Sequence, residues 1–170
     1  MSQCSADTLS RAHAIHPIAA VQIEYNPFFL DSESNGLFDA AMELGIAFIA
    51  YGPLGRGFGT TTFSSPSSIP AGDIRLTHPR FMAQNWDTNV KLVQELEKHA
   101  NHKGCTLPQL ILAWEMAQPG NVIPIPGATT IDQLTEDLKA FSVSINHAES
   151  TEIRKSIEGA AQVGGIYPHA

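Results

Sequence analysis

Three short apolar runs that contain β-branched residues predict the strands of a sheet. They are Ile18–Tyr25, Ile46–Tyr51 and Asn121–Ile125. The first ends at Asn26-Pro27 and the second at Gly52-Pro53, and both pairs are typical of turns. We therefore expect three strands, each of which ends where the chain turns.

Between these runs, apolar residues recur at spacings of three and four, which predicts helices. The predicted helices cover about residues 6–15, 37–44, 88–102, 131–141 and 149–161, and a further one begins after Thr106. Ser5, Asp87 and Thr106 are the expected N-caps. Because helix follows each strand, the fold class is α/β with a parallel sheet, in a single domain over residues 1–170.

Two segments fall outside these elements. The stretch from Gly52 to about Gln84 is rich in Gly, Ser, Thr and Pro, and a loop of that length is usually functional or disordered. The tail Tyr167–Ala170 is expected to fray.

Charge and composition exclude several classes of partner. The net charge is −7 and no run of Lys and Arg occurs, so we expect neither nucleic acid nor an anionic membrane as a partner. Cys4 and Cys105 match no metal-ligand spacing and are expected to be free thiols. Without an apolar run of about 18 residues or a signal-peptide pattern, we expect a soluble, cytoplasmic protein.

A sheet of about three parallel strands leaves edges and a face that need cover. Unpaired backbone groups at a sheet edge invite pairing with another chain. A helix, the ends of the chain or another subunit must cover them, so we predict self-association, with a homodimer as the simplest closure.

Several motifs, in their order along the chain, resemble the aldo-keto reductase family. They are Met1–Leu9, Ala20–Phe28, Ala50–Phe58, Pro79–Phe81 with Asn89–Val93, and Ile123–Gly127. The resemblance covers essentially all 170 residues and implies a partial (β/α)8 TIM-type barrel with strands six to eight. A complete barrel of this kind typically takes about 250 residues.

The resemblance also implies what the chain lacks. The family's tyrosine general acid and its lysine, aspartate and histidine partners precede the matched region, so no residue here inherits those roles. What remains matches the half that holds most of NADP. By family position Ser2 and Gln22 would contact the nicotinamide carboxamide, Tyr51 would stack on its ring, and Gly52 and Leu54 would line the loop near the pyrophosphate.

The segment that would hold the adenosine departs from the family pattern. Gln133 stands at the usual arginine position and Asp137 at that of an asparagine facing adenine, whereas Glu136 is retained. Residues 120–138 contain no Lys or Arg. Since hydrogen bonds to charged groups contribute about 1.5–3 kcal/mol each, NADPH binding should be weakened about tenfold to a thousandfold. We expect no cofactor requirement, or weak residual NADP(H) binding, and a smaller loss for NADH.

The residues offer three candidates for catalysis. Glu24 and Tyr25 lie at the carboxyl end of a predicted strand and could transfer a proton next to a carbonyl; alternatively both are structural. His78 lies in the long loop, between Arg75 and Arg80, which could bind an anion or form surface ion pairs with Asp73 or Glu43.

No metal site is expected. Two pairs of histidines lie three residues apart on predicted helices, His13/His16 and His99/His102. Neither pair has a third ligand, so we expect these side chains to lie on solvated helix faces.

Three functions remain open at this point. The preferred one is a non-redox enzyme (an isomerase, cyclase or dehydratase) that acts on a small carbonyl compound. The second is an NADP(H)-binding half of an oxidoreductase that pairs with a separate chain carrying the catalytic residues. The third is a non-catalytic binding module or the product of a decaying gene.

Overall fold

A computed structural model describes residues 1–60, 62–160 and 164. Three parallel strands form one sheet in the order β1 (Ala20–Glu24), β2 (Ala47–Tyr51) and β3 (Val122–Ile125). In the register, Gln22 lies beside Ile49, which lies beside Ile123. The predicted strands and α/β class are confirmed; the first strand is shorter than predicted at both ends.

The described part of the chain contains seven α-helices. They are α1 (Ala6–Ile15), α2 (Asp31–Ser34), α3 (Leu37–Glu43), α4 (Ala83–Lys103), α5 (Leu107–Met116), α6 (Ile131–Leu138) and α7 (His147–Gly159). Short 3-10 turns cover Gly55–Thr60, Pro66–Ser68, Ile74–Thr77, Pro79–Phe81 and Lys139–Ser142. The long loop is therefore a folded segment, although the sequence predicts none of its turns.

The cap predictions have mixed outcomes. Ser5 caps α1, and Thr106 caps α5 in a reciprocal pair of hydrogen bonds with Gln109, as its sequence pattern indicates. The predicted cap Asp87 is wrong, since α4 begins at Ala83. The extra turn forms because Trp86 packs against Phe58, with ring centroids 5.1 Å apart. Burial of that indole outweighs the local capping signal.

The ends of the last two helices also differ from the prediction. The helix from Ile131 stops at Leu138 and tightens into a 3-10 turn, where an α-helix to Phe141 was predicted. The last helix begins at His147 because Asn146, not a residue nearer Glu149, is its cap. The predicted end at Ala161 and the tail Tyr167–Ala170 lie outside the described residues.

The core lies on one side of the sheet. Val21, Ile23, Phe48, Ala50 and Val122 are buried against the helices. Side chains alternate along a strand, so their neighbours project from the opposite side. We call that side the open face; it consists of Ala20, Gln22, Ala47, Ile49, Tyr51, Ile123 and Ile125, all partly or largely exposed. Parallel sheets are normally covered on both faces.

The two edges of the sheet differ. At the β1 edge the N-terminal residues pair with the strand: Gln22 N donates to Met1 O at 2.8 Å, and Gln3 N donates to Gln22 O at 3.1 Å. At the β3 edge, Phe48 N donates to Asn121 O, so the backbone N–H and C=O groups of the alternate residues Val122 and Pro124 point away from β2. Because proline has no N–H, this edge offers few donors to a further strand.

The Glu115 carboxyl group is buried without a partner in the described part of the chain. Glu115 on α5 is fully buried, and neither of its oxygens accepts or donates a hydrogen bond among the described residues. Burial raises the pKa of Glu115 well above its usual value, so the neutral acid is the favoured form in the fold.

Glu115→Gln should stabilise the protein at pH 8. In the unfolded chain a glutamate ionises near pH 4.3. Because the pKa of Glu115 is raised in the folded protein, its contribution to stability is fully present below that pH and is lost as the pH rises toward the pKa of the folded state. The uncharged amide removes this loss, so we expect the free energy of unfolding to rise by about 1–3 kcal/mol at pH 8 and to change little at pH 4. Urea unfolding at both pH values measures it.

The control is Glu158→Gln on α7, where the carboxylate is exposed. It should leave the unfolding free energy unchanged at both pH values. Equal effects of the two substitutions would show that the Glu115 carboxyl is not held in the neutral form.

Candidate functional site

The polar residues that follow the strands gather at the carboxyl edge of the sheet. β1 ends at Glu24, β2 at Tyr51 and β3 at Ile125, and the loops from Gly52 and Pro126 begin there. Ligands of parallel α/β folds bind at this edge.

A buried ion cluster fixes the long loop to the end of β1. Glu24 is fully buried, and its Oε1 accepts a hydrogen bond from Arg80 Nη1 at 3.0 Å. Its Oε2 accepts from Arg56 Nη2 at 3.3 Å. Burial, foremost, lowers the pKa of Arg80, and the Glu24 carboxylate opposes that shift. One carboxylate faces two guanidinium groups, so the cluster carries a net charge of +1.

Arg75 and Arg80 therefore differ in their roles. Arg75 forms the predicted ion pair with Asp73, whose Oδ1 lies 2.9 Å from Arg75 Nε, and this contact lowers the pKa of Asp73 to about 2. The predicted surface pair of Arg80 with Asp73 or Glu43 is wrong. The loop turns at Pro79–Phe81 and carries Arg80 inward, where 1% of the residue is exposed.

Tyr25 belongs to a second network, on the helix side of the sheet. Its hydroxyl donates to Glu33 Oε1 at 2.7 Å, and Arg154 Nη1 and Nη2 lie 2.8 and 2.9 Å from the two oxygens of Glu33. Arg154 also donates to Gln118 and lies over Trp114. Burial and the Glu33 carboxylate raise the pKa of Tyr25 far above its usual value.

Glu24 and Tyr25 thus have different partners. The expected pair of a carboxylate beside a phenol does not form, because consecutive residues leave an extended chain on opposite sides. This geometry favours the structural interpretation of both residues.

His78 is also enclosed. It is 3% exposed, and its ring lies 6.4 Å from that of Phe81. Burial, followed by the charges of Arg56 and Arg80, lowers the pKa of His78, so its neutral form is favoured. The candidate catalytic residues Glu24, Tyr25 and His78 all lie beneath the surface.

The residues with an expected cofactor role fall into two groups. Ser2, Gln22 and Tyr51 lie together at the open face: Ser2 pairs with Gln22 in a β-bridge, and Gln3 donates to the Tyr51 hydroxyl. Gly52, Leu54, Gln133, Glu136 and Asp137 line two cavities of about 790 and 750 Å³. We call these adjoining cavities the groove.

The groove is charged unevenly. The cavity beside Gly52 is lined by Arg56 and Arg75, together with Asp73. The cavity beside α6 is lined by Glu97, Asp132, Glu136 and Asp137, and its described lining includes neither Lys nor Arg. Burial, with Glu136 beside it, raises the pKa of Asp137.

Within the described residues there is no group of three or more His, Cys, Asp and Glu that could hold a metal ion. His13 accepts a hydrogen bond from Ile18 N, and His99 lies 2.9 Å from Ser156 Oγ. Cys4 and Cys105 are both unpaired. None of the helices in the described ranges has the length and apolar character that a membrane span requires.

Sequence reasoning missed the partners of these buried groups. A glutamate at the end of a buried strand needs a cation, which would have directed attention to Arg56 and Arg80. The Glu33–Arg154 pair joins positions 121 residues apart and leaves no comparable local signal.

Comparison with known proteins decides the family. The model of the aldo/keto reductase family matches residues 1–158. The chain belongs to the aldo/keto reductase family. It is 41% identical over 170 residues to the NADP(+) aldo-keto reductase yakc of Schizosaccharomyces pombe, covering 99% of this chain and 50% of that protein. It is 42% identical over 160 residues to aldo-keto reductase str7 of Strobilurus tenacellus, covering 93% and 48%.

Solved structures of aldo-keto reductases share the fold. A glycerol dehydrogenase from Gluconobacter oxydans superposes with a TM-score of 0.85 at 24% identity, over 99% of this chain and 51% of that one. A thermostable aldo-keto reductase superposes with a TM-score of 0.65 at 25% identity, over 91% and 46%. The chain spans about half the length of the curated relatives that it matches and corresponds to part of their barrel.

The family's cofactor fits only one end of the groove. The Arg56 guanidinium lines the cavity beside Gly52 and uses only Nη2 for its bond to Glu24, which suits the oxygens of a diphosphate. The α6 end does not fit a 2′-phosphate, because four carboxylates line it and no Lys or Arg is among the described residues that line it. NADP therefore matches this aldo/keto reductase family member poorly at its adenosine end.

Arg80→Met should destabilise the fold strongly. It removes the closer of the two cations from the buried Glu24 carboxylate, and breaking a buried pair costs about 3–5 kcal/mol. Arg56 remains, so we expect a loss near 3 kcal/mol in chemical denaturation.

Two further variants test this account of Arg80. Arg75→Met breaks a partly exposed pair and should cost no more than about 1 kcal/mol. Adding Glu24→Gln to Arg80→Met should recover part of the loss, because no charge is then stranded. Equal losses for Arg80→Met and Arg75→Met would refute the buried-pair account.

Proposed function

We propose that this chain supplies the nucleotide-side half of an aldo-keto reductase barrel and reduces carbonyl compounds only when other polypeptide completes the barrel. The observation that carries the proposal is the open face. It is a largely apolar sheet surface, with Ile123 and Ile125 40% and 41% exposed, beside Gln22 and Tyr51. A barrel interior has this mixture of apolar packing residues and a few polar ones.

The helix that follows β3 in the chain supports the same interpretation. An apolar stripe runs along α6 and the turn after it: Ile131, Leu134, Leu138 and Phe141 are 82%, 51%, 54% and 76% exposed. Their spacing of three to four residues places them on one side of the helix. Contiguous apolar surface of this kind marks an interaction site.

The chemistry of the described residues explains why completion is needed. Carbonyl reduction requires a proton donor beside the nicotinamide. The Tyr25 hydroxyl is committed to Glu33, and its raised pKa disfavours loss of the proton. We assign the donor to the part of the family's barrel that these 170 residues do not match, as the family resemblance implies.

The geometry gives less support to a non-redox activity. Its candidate residues Glu24, Tyr25 and His78 are each at most 3% exposed and do not line a common cavity among those described. A non-catalytic binding role remains compatible with the groove and is separated from the proposal by the experiment below.

The proposal predicts rescue by complementation. Alone, the purified chain should not oxidise NADH or NADPH in the presence of an aldehyde. Mixed with the N-terminal half of the Schizosaccharomyces pombe relative, it should form a complex that oxidises NADH or NADPH. The rate is measured as the fall in absorbance of the reduced nicotinamide. Turnover by the chain alone, or no turnover in the mixture, would contradict the proposal.

A matched pair of variants locates the contact. Ile123→Asp places a charge on the open face and should reduce the rescued rate at least tenfold. Leu76→Asp makes a comparable change at a residue of similar exposure, 42% against 40%, in the long loop. It should leave the rescued rate within twofold of wild type.

A further inference from the structure

The two cavities of the groove form a continuous surface with opposite charge at its ends. They share five lining residues, which are Leu54, Thr60, Thr62, Gly127 and Gln133. A ligand that spans both cavities therefore experiences both ends at once.

The end beside Gly52 is positive. Arg75 is neutralised by Asp73, but the cluster of Arg56, Arg80 and Glu24 retains one positive charge. Arg56 lines this cavity, and Nη2, bonded to Glu24, is the one guanidinium nitrogen of Arg56 with a hydrogen-bond partner among the described residues. A guanidinium with spare N–H donors at a cavity wall selects an anionic oxygen.

The end beside α6 is negative, and one of its carboxylates lacks a partner. Asp137 is 8% exposed, lines this cavity and has no side-chain hydrogen bond or ion pair among the described residues. The nearest cation in sequence, Lys139, lies 3.6 Å from Glu136 and does not line the cavity. A buried carboxylate without a partner favours a ligand that brings a donor.

We propose that the groove binds a nucleoside diphosphate whose ribose is unphosphorylated, so that this chain selects NAD(H) over NADP(H). The diphosphate lies toward Arg56, and the hydroxyls of the adenosine ribose donate to the carboxylates beside α6. A phosphomonoester at that ribose offers only acceptors and negative charge to the same carboxylates, and is repelled. Carboxylates select the unphosphorylated ribose in the same way in dinucleotide-binding folds.

The test uses two probes that differ only in this phosphate: ADP-ribose and 2′-phospho-ADP-ribose. Isothermal titration of the full chain at low salt should give at least tenfold tighter binding of ADP-ribose. Equal or tighter binding of the phosphorylated probe would overturn the inference. So would the absence of heat from both probes at millimolar concentration.

A charge reversal assigns the selectivity to the α6 end. Asp132→Arg together with Asp137→Asn should tighten 2′-phospho-ADP-ribose binding at least tenfold and change ADP-ribose binding less. The matched control is Asp39→Arg, because Asp39 lies in the first turn of α3 as Asp132 does in α6, on an exposed surface outside the groove. It should leave the affinity ratio unchanged, and a shift equal to that of the double variant would overturn the assignment.

This inference rests on the proposed function only in placing the nucleotide on this half of the barrel. The titration needs no turnover and no second polypeptide. Failure of complementation with intact probe selectivity would remove the proposed function and leave the groove assignment standing. Successful complementation with a higher rate for NADPH than for NADH would remove the groove assignment and leave the proposed function standing.

Discussion

A parallel sheet requires cover on both faces, and the described part of this chain provides it on one. The helices pack on Val21, Phe48 and Val122, whereas the open face exposes Ile49, Ile123 and Ile125. Burying apolar area contributes about 25 cal/mol per Å², so further polypeptide on this face would add substantial stability. The stability of the fold therefore depends on what lies against the open face, and the proposed function depends on it as well.

A second constraint is the burial of charge beneath the long loop. The Glu24 carboxylate, enclosed at the end of β1, needs the guanidinium groups of Arg56 and Arg80. Those contacts hold the loop over the sheet and leave an excess positive charge beside the groove. The same loop thus closes the core and shapes the end of the groove to which we assign the diphosphate.

Local signals in the sequence predict what local interactions determine. Thr106 with Gln109 defines the start of α5, and short apolar runs define the three strands. Where distant contacts decide, prediction fails: α4 begins early because Trp86 packs on Phe58, and Arg80 meets Glu24 across 56 residues. The acidic character of the α6 cavity was visible in residues 120–138, but the contribution of Glu97 depends on how α4 packs.

The mass of the chain in solution tests the need for cover most directly. Sedimentation equilibrium of the purified protein, without any second polypeptide, measures it without reference to activity. When no completing polypeptide is present, two copies are expected to bury their open faces against each other, which predicts a homodimer at twice the chain mass of 18.3 kDa. A stable, monodisperse monomer over the whole micromolar range would contradict the claim that the open face requires cover.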